Sequence, residues 1–80
     1  MAEDEGMRLD ARGLLCPLPV LKANKAMKAL AAGEILTVMA TDPAAPKDFA
    51  AFCQTAGHTL IRVDEADGMY MITLRKAAAG

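Results

Sequence analysis

Apolar and polar positions along the chain change period several times, and each change marks an element. Met7-Arg8-Leu9-Asp10 alternates apolar and polar, which predicts a short strand. Ala11 to Leu15 is a connecting turn with Gly13 as its flexible point. From Pro17 to Ala32 the period becomes helical. At about 100° per residue, Val20, Ala23, Met27, Leu30 and Ala31 share one arc that should face a sheet, with Lys22, Lys25 and Lys28 on the opposite side. Gly33 stands where a helix C-terminal glycine usually stands. Glu34 to Ala40 is a nearly continuous apolar run, as expected of a central strand. Thr41-Asp42-Pro43 turns the chain. A second helix opens around Pro46, runs to about Ala56 with Phe49, Phe52, Cys53 and Ala56 on its inner face, and ends at Gly57. Thr59 to Asp64 and Met69 to Arg75 read as strands joined by a hairpin at Ala66-Asp67-Gly68. The order β-α-β-α-β-β predicts an α/β two-layer sandwich, a four-stranded mixed sheet with two helices on one face.

The chain has 80 residues, which is one domain: residues 7–76, between an acidic tail at 1–6 and a short tail at 77–80. A domain this small has no room for separate substrate-binding and catalytic units, so its chemistry belongs on the surface or in a shallow groove that a partner completes. The formal net charge of −1 argues against direct nucleic-acid binding through a broad basic face. No apolar run approaches the roughly 20 residues of a membrane span, and an acidic N-terminus is the wrong charge for a secretory signal. The expected location is the cytoplasm, and the expected state is a monomer.

Two cysteines, Cys16 and Cys53, are too few for a secreted disulfide scaffold. One histidine, His58, and no CxxC spacing argue against a metal site. Cys16 stands where a turn meets a helix, followed by Pro17 at the first helical position and Pro19 within the first turn. The positive end of the helix dipole, with a further charge from Arg12, is expected to favour thiolate over thiol. Leu18 and Leu21 fall away from the core with the lysines. With Leu14 or Leu15 they form an apolar apron around Cys16, rimmed by Lys22 and Lys25, that suits protein docking; local packing under the N-terminal turn is the other account. Cys53 is expected in the core, and His58 at a turn or surface. Asp10 and Asp42 fall at strand C-terminal ends, the edge where sites of open α/β sheets gather, so Asp42 and Lys47 are expected near Cys16; helix capping is the simpler role for Asp42.

Leu9-Asp10-Ala11 with Gly13-Leu14, then Cys16-Pro17-Leu18-Pro19-Val20, resembles the start of the TusA/SirA/YedF family of small sulfur carriers, whose signature is the CPxP box. The resemblance continues through Gly33-Glu34, Asp42-Pro43-Ala44, Lys47-Asp48-Phe49, Phe52-Cys53 and Gly57-His58, and so covers Leu9 to about Lys76. It implies a βαβαββ two-layer fold and a persulfide carried on Cys16. It implies no cofactor beyond that covalent sulfur. The implied partners are a sulfur-donor protein (a cysteine desulfurase or rhodanese-like protein) and an acceptor protein in tRNA thiolation, cofactor synthesis or sulfur oxidation. Position 15 is Leu where tRNA-thiolation members carry Arg, which removes a charge near the thiol. Two other readings compete with the sulfur carrier: a non-enzymatic regulatory or redox-sensing module, and a metal carrier using Cys16 and His58.

Overall fold

The computed structural model describes residues 6–77. Six elements follow in the expected order: β1 Met7–Ala11, α1 Leu18–Met27, β2 Ile35–Ala40, α2 Ala45–Ala56, β3 Thr59–Ala66 and β4 Met69–Arg75. The strands form one sheet in the order β1-β2-β4-β3. β1 and β2 are parallel, and the other two pairings are antiparallel, so the sheet is mixed.

Alternation along the strands sorts residues onto two faces. Across β1, β2 and β4 the register aligns Met7 with Leu36 and Leu74, Leu9 with Val38 and Ile72, and Ala11 with Ala40 and Tyr70. This face meets the helices. Leu36, Val38, Ala40, Ile72 and Leu74 are buried there against Ala23 and Met27 of α1 and Phe49 and Cys53 of α2. Among the described residues, no helix lies over the opposite face. On it Arg8, Thr37, Arg62, Asp64, Met71 and Thr73 surround a shallow depression of about 130 Å³.

Several boundaries differ from the sequence expectation. The first helix ends at Met27 instead of Ala32, and Ala31 is exposed. Past Met27 the amides of Lys28, Ala29 and Leu30 bond three residues back, to Lys25, Ala26 and Met27. That tighter winding is common where a helix finishes. Gly33 does not cap this helix. The Lys76 ammonium does so from the far end of the chain, donating to the Met27 carbonyl at 2.6 Å and the Leu30 carbonyl at 2.9 Å. At the other end Pro17 is the residue before the helix, and Leu18 is the first within it. In α2, Phe49 and Cys53 are buried, but Phe52 is half-buried and Ala56 is exposed. Gly57 does end α2. It takes the left-handed conformation (φ +83°) and donates to the Cys53 carbonyl, a geometry that costs little without a Cβ.

β3 runs two residues further than its pattern indicated, to Ala66, and a bulge between Leu60 and Arg62 displaces Ile61. Asp67 and Gly68 alone then turn the chain, both at positive φ, as the tight hairpin requires. Gly6, assigned above to the tail, lies against β2: a Cβ there would collide with the Ile35 carbonyl oxygen. The rest of the two expected tails, residues 1–5 and 78–80, lies outside the described residues.

Candidate functional site: a cysteine at the head of an apolar groove

Parallel pairing brings the carboxyl ends of β1 and β2 together, with Ala11 beside Ala40. The loops that follow them are stitched side by side. The Gly13 amide donates to Thr41 Oγ1 at 2.8 Å, and the Cys16 amide donates to Asp42 Oδ2 at 2.7 Å. The other Asp42 oxygen accepts from the Ala44 amide at 3.1 Å, and the Asp42 carbonyl accepts from the Ala45 amide at 2.9 Å. Asp42 is nearly buried (9% exposed) and holds the start of α2 and the backbone of Cys16 at once. Helix capping, the role expected for it from sequence, is not what it does: the residue before α2 is Ala44, which no side chain caps, and Asp42 holds the Ala44 amide in the turn that leads into the helix. Its tether to Cys16 spans 26 residues of chain.

Cys16 is thereby presented at the sheet edge expected for it, with an exposed side chain. The peptide bond to Pro17 is cis. Pro19 is buried in the first turn of α1. Beside the thiol an open groove of about 350 Å³ runs between the two helices, lined by Pro17 at the head of α1, by Val20 of α1 and by Asp48, Ala51, Phe52 and Thr55 from α2. Its surface is mainly apolar. Phe52 forms much of the wall, packed edge-on to Phe49 (ring centroids 6.3 Å apart) and tilted against His58 (5.4 Å).

The electrostatics reverse the expectation of an activated thiolate. Arg12 does not act on the thiol. Its guanidinium clasps the Asp10 carboxylate through two bonds, Nε to Oδ1 at 2.9 Å and Nη2 to Oδ2 at 3.0 Å, and holds that carboxyl far below the usual range. Most donors of the helix start are absent or committed elsewhere. Pro17 and Pro19 have none, the Leu18 amide bonds to the Leu15 carbonyl, and the Cys16 amide goes to Asp42. What faces the sulfur is acidic. The Asp48 carboxylate, which shares the groove with the thiol, is the first cause that pushes Cys16 above its ordinary pKa; desolvation and the charge of Asp42 add to it. Lys47, expected near Cys16, is exposed and does not line the groove; Asp48, the next residue, does.

The apron is present on the outer side of the same helix. Leu15 (66% exposed), Leu18 (49%) and Leu21 (56%) project into solvent, so local packing is not their role; Leu14 instead packs against the core. Lys25 is exposed, and Lys22 reaches back to the Asp10 carbonyl at 3.1 Å. Cys53 is buried in the core, and burial pushes its thiol up. His58 Nδ1 accepts from the Ala77 amide at 2.8 Å, which occupies the lone pair a metal would use. Among the described residues, no three of His, Cys, Asp and Glu gather to hold a metal ion.

The family model described as "Sulfurtransferase TusA" matches residues 7–76. The chain belongs to the TusA family. Sulfur carrier protein TusA of Allochromatium vinosum is 42% identical over 74 residues, which cover 92% of this chain and 97% of that protein. Sulfur carrier protein TusA of Pseudomonas entomophila is 46% identical over 70 residues, 88% of each chain. The crystal structure of a SirA-like protein from Desulfitobacterium hafniense superposes with a TM-score of 0.79 at 27% identity, covering 89% of this chain and 97% of that one. The match to the TusA family therefore spans nearly the whole domain, and the fold is shared with a solved SirA-like protein. Of the motif residues singled out in the sequence, Cys16 and Pro17 line the groove, and Pro19 is buried in α1 instead. Sequence reasoning missed Asp48, Ala51 and Thr55, whose signal was the helical phase of α2: Asp48, Ala51, Phe52 and Thr55 fall at spacings of three and four and share one stripe.

Proposed function

We propose that this TusA-family protein is a sulfur carrier in which Cys16 takes up a sulfane sulfur as a persulfide and passes it to an acceptor protein. The observation that carries the reading is the contrast between its two cysteines: Cys16 is exposed at the head of a groove, and Cys53 is sealed in the core. The names of its relatives as sulfur carriers support it.

In the transfer the Cys16 thiolate attacks the outer sulfur of a donor persulfide. One S–S bond forms to Cys16 as the donor's S–S bond breaks, and the donor leaves as a thiolate that takes up the proton Cys16 gave to solvent. No net oxidation occurs, so no redox cofactor is needed. The onward step is the same exchange with Cys16 as the leaving group. The groove and the exposed Leu15, Leu18 and Leu21 offer apolar contacts to the donor and acceptor proteins. A thiol of raised pKa supports a carrier over a redox sensor, because sensors depend on low-pKa cysteines that oxidants reach readily. Free thiols persist in reducing compartments, which supports the cytoplasm as the place of action. Among the described residues no helix is long and apolar enough to cross a membrane.

The test is the intact mass after incubation with a cysteine desulfurase and cysteine. A gain of about 32 Da, one sulfur atom, is expected, removed by a reductant and absent from Cys16→Ser. A gain of the same size in Cys16→Ser would contradict the reading.

A further inference from the structure

We propose that Asp48 gates the Cys16 thiol, and that the gate is opened by a Lys or Arg of the docking protein, which pairs with Asp48 while an apolar side chain beside it fills the groove. The inference rests on the sulfur-carrier reading and adds to it what the partner's contact segment must look like.

The groove carries the argument. Its walls, Pro17, Val20, Ala51 and Phe52, are apolar and take an apolar side chain. Among the described residues, the one charged group in its lining is the Asp48 carboxylate, which shares the groove with Cys16. The neighbouring charged groups among the described residues lie outside that lining. From the β1–α1 loop, Arg12 is spent on Asp10. From α1, Lys22 bonds to the Asp10 carbonyl. From the β2–α2 loop, Asp42 bonds to the Cys16 and Ala44 amides and adds negative charge at the sulfur. From α2, Lys47 lies outside the groove lining. The site is thus an acidic carboxylate in an apolar slot, complementary to a segment that pairs one cation with one apolar residue.

The consequence is an order of events. Alone, the thiol keeps its proton because the neighbouring carboxylate disfavours a second negative charge. When a partner cation pairs with Asp48, that repulsion is cancelled, the thiol returns towards its ordinary pKa, and the fraction of thiolate, its proton given to solvent, rises with the partner already in place. A carrier built this way holds its nucleophile back from stray disulfides and releases it to the protein it is meant to meet.

The experiment uses the full chain, its Asp48→Asn variant, and an Asp64→Asn control on the uncovered face of the sheet. Rates of Cys16 modification by cationic methanethiosulfonate ethyltrimethylammonium and by anionic methanethiosulfonate ethylsulfonate are each divided by the rate with 2-mercaptoethanol. The intact protein should favour the cationic reagent, and Asp48→Asn should cut that preference by about three- to tenfold, the change expected when one contacting charge is removed; Asp64→Asn should leave it unchanged. With neutral iodoacetamide at pH 7, Asp48→Asn should react faster than the parent. With a cysteine desulfurase as donor, the same variant should load sulfur with a raised KM, because the partner's cation has lost its mate. Faster alkylation together with poorer docking is a split that a merely structural role would not produce. An unchanged charge preference in Asp48→Asn would overturn the gate, and an unchanged KM would overturn the partner's cation. Failure of the underlying reading looks different: the parent protein itself would gain no sulfur from the donor, whatever its preference among small reagents.

Discussion

Cys16 and Cys53 are the same residue type in two surroundings, and their surroundings assign them different chemistry. Burial explains the shift of Cys53, and the Asp48 carboxylate is the first cause of the shift of Cys16, ahead of desolvation. The rate of iodoacetamide labelling at Cys16 should therefore rise with pH to a midpoint above the ordinary thiol value of about 8.5, and Asp48→Asn should bring it down. A midpoint below that value would mean that the helix end outweighs the carboxylates. Asp42 contributes at the same scale. It is nearly buried and accepts two amide bonds, so Asp42→Ala should cost about 1.5–3 kcal/mol in urea denaturation and loosen the loop that presents Cys16. The cysteine and its prolines were legible in the chain because they are adjacent in sequence. Asp48 was not, since it is brought to Cys16 by tertiary packing. Placing Lys47 there was an error of one residue, and one residue on a helix is about 100° of rotation.

At the scale of elements, hydrophobic period identified every strand and helix. It failed at the end of α1. A glycine after a periodic run reads as a cap, yet the carbonyls are taken by Lys76, nearly fifty residues later, a partner that no local pattern reveals. The same loop closes back on the C-terminal segment through the Gly33 amide and the Lys76 carbonyl at 3.1 Å. Lys76→Met keeps most of the apolar stem and removes both capping bonds. It should leave the sheet intact and speed hydrogen exchange at the Lys28, Ala29 and Leu30 amides, whose turn Lys76 pins. Unchanged protection at those amides would show that the turn needs no such clasp.

For the whole molecule, the C-terminal segment ties the layers together: Lys76 reaches α1, and the Ala77 amide reaches His58 after α2. His58 must be unprotonated at Nδ1 to accept that bond. Burial and Lys76 lower its pKa from the ordinary 6.5, so the folded state binds a proton less readily than the unfolded chain. The stability this gives is present above about pH 6.5 and is lost as the pH falls below it. Thermal melts between pH 7.5 and 5 should show a fall in Tm that is smaller in His58→Gln; equal slopes would remove His58 from the account. The groove is also a property of the whole, since α1 and α2 each supply one wall and the parallel strands set their heads side by side. That is why the sequence could name the thiol but not the slot beside it.

The central claim is that one of two cysteines carries sulfur and that it is Cys16. The most direct measurement is peptide mapping after loading with a cysteine desulfurase and cysteine, with alkylation to trap the persulfide before digestion. The extra sulfur should lie wholly on the peptide containing Cys16, and Cys53→Ser should load as well as the parent. Sulfur on the Cys53 peptide, or none on that of Cys16, would contradict the account.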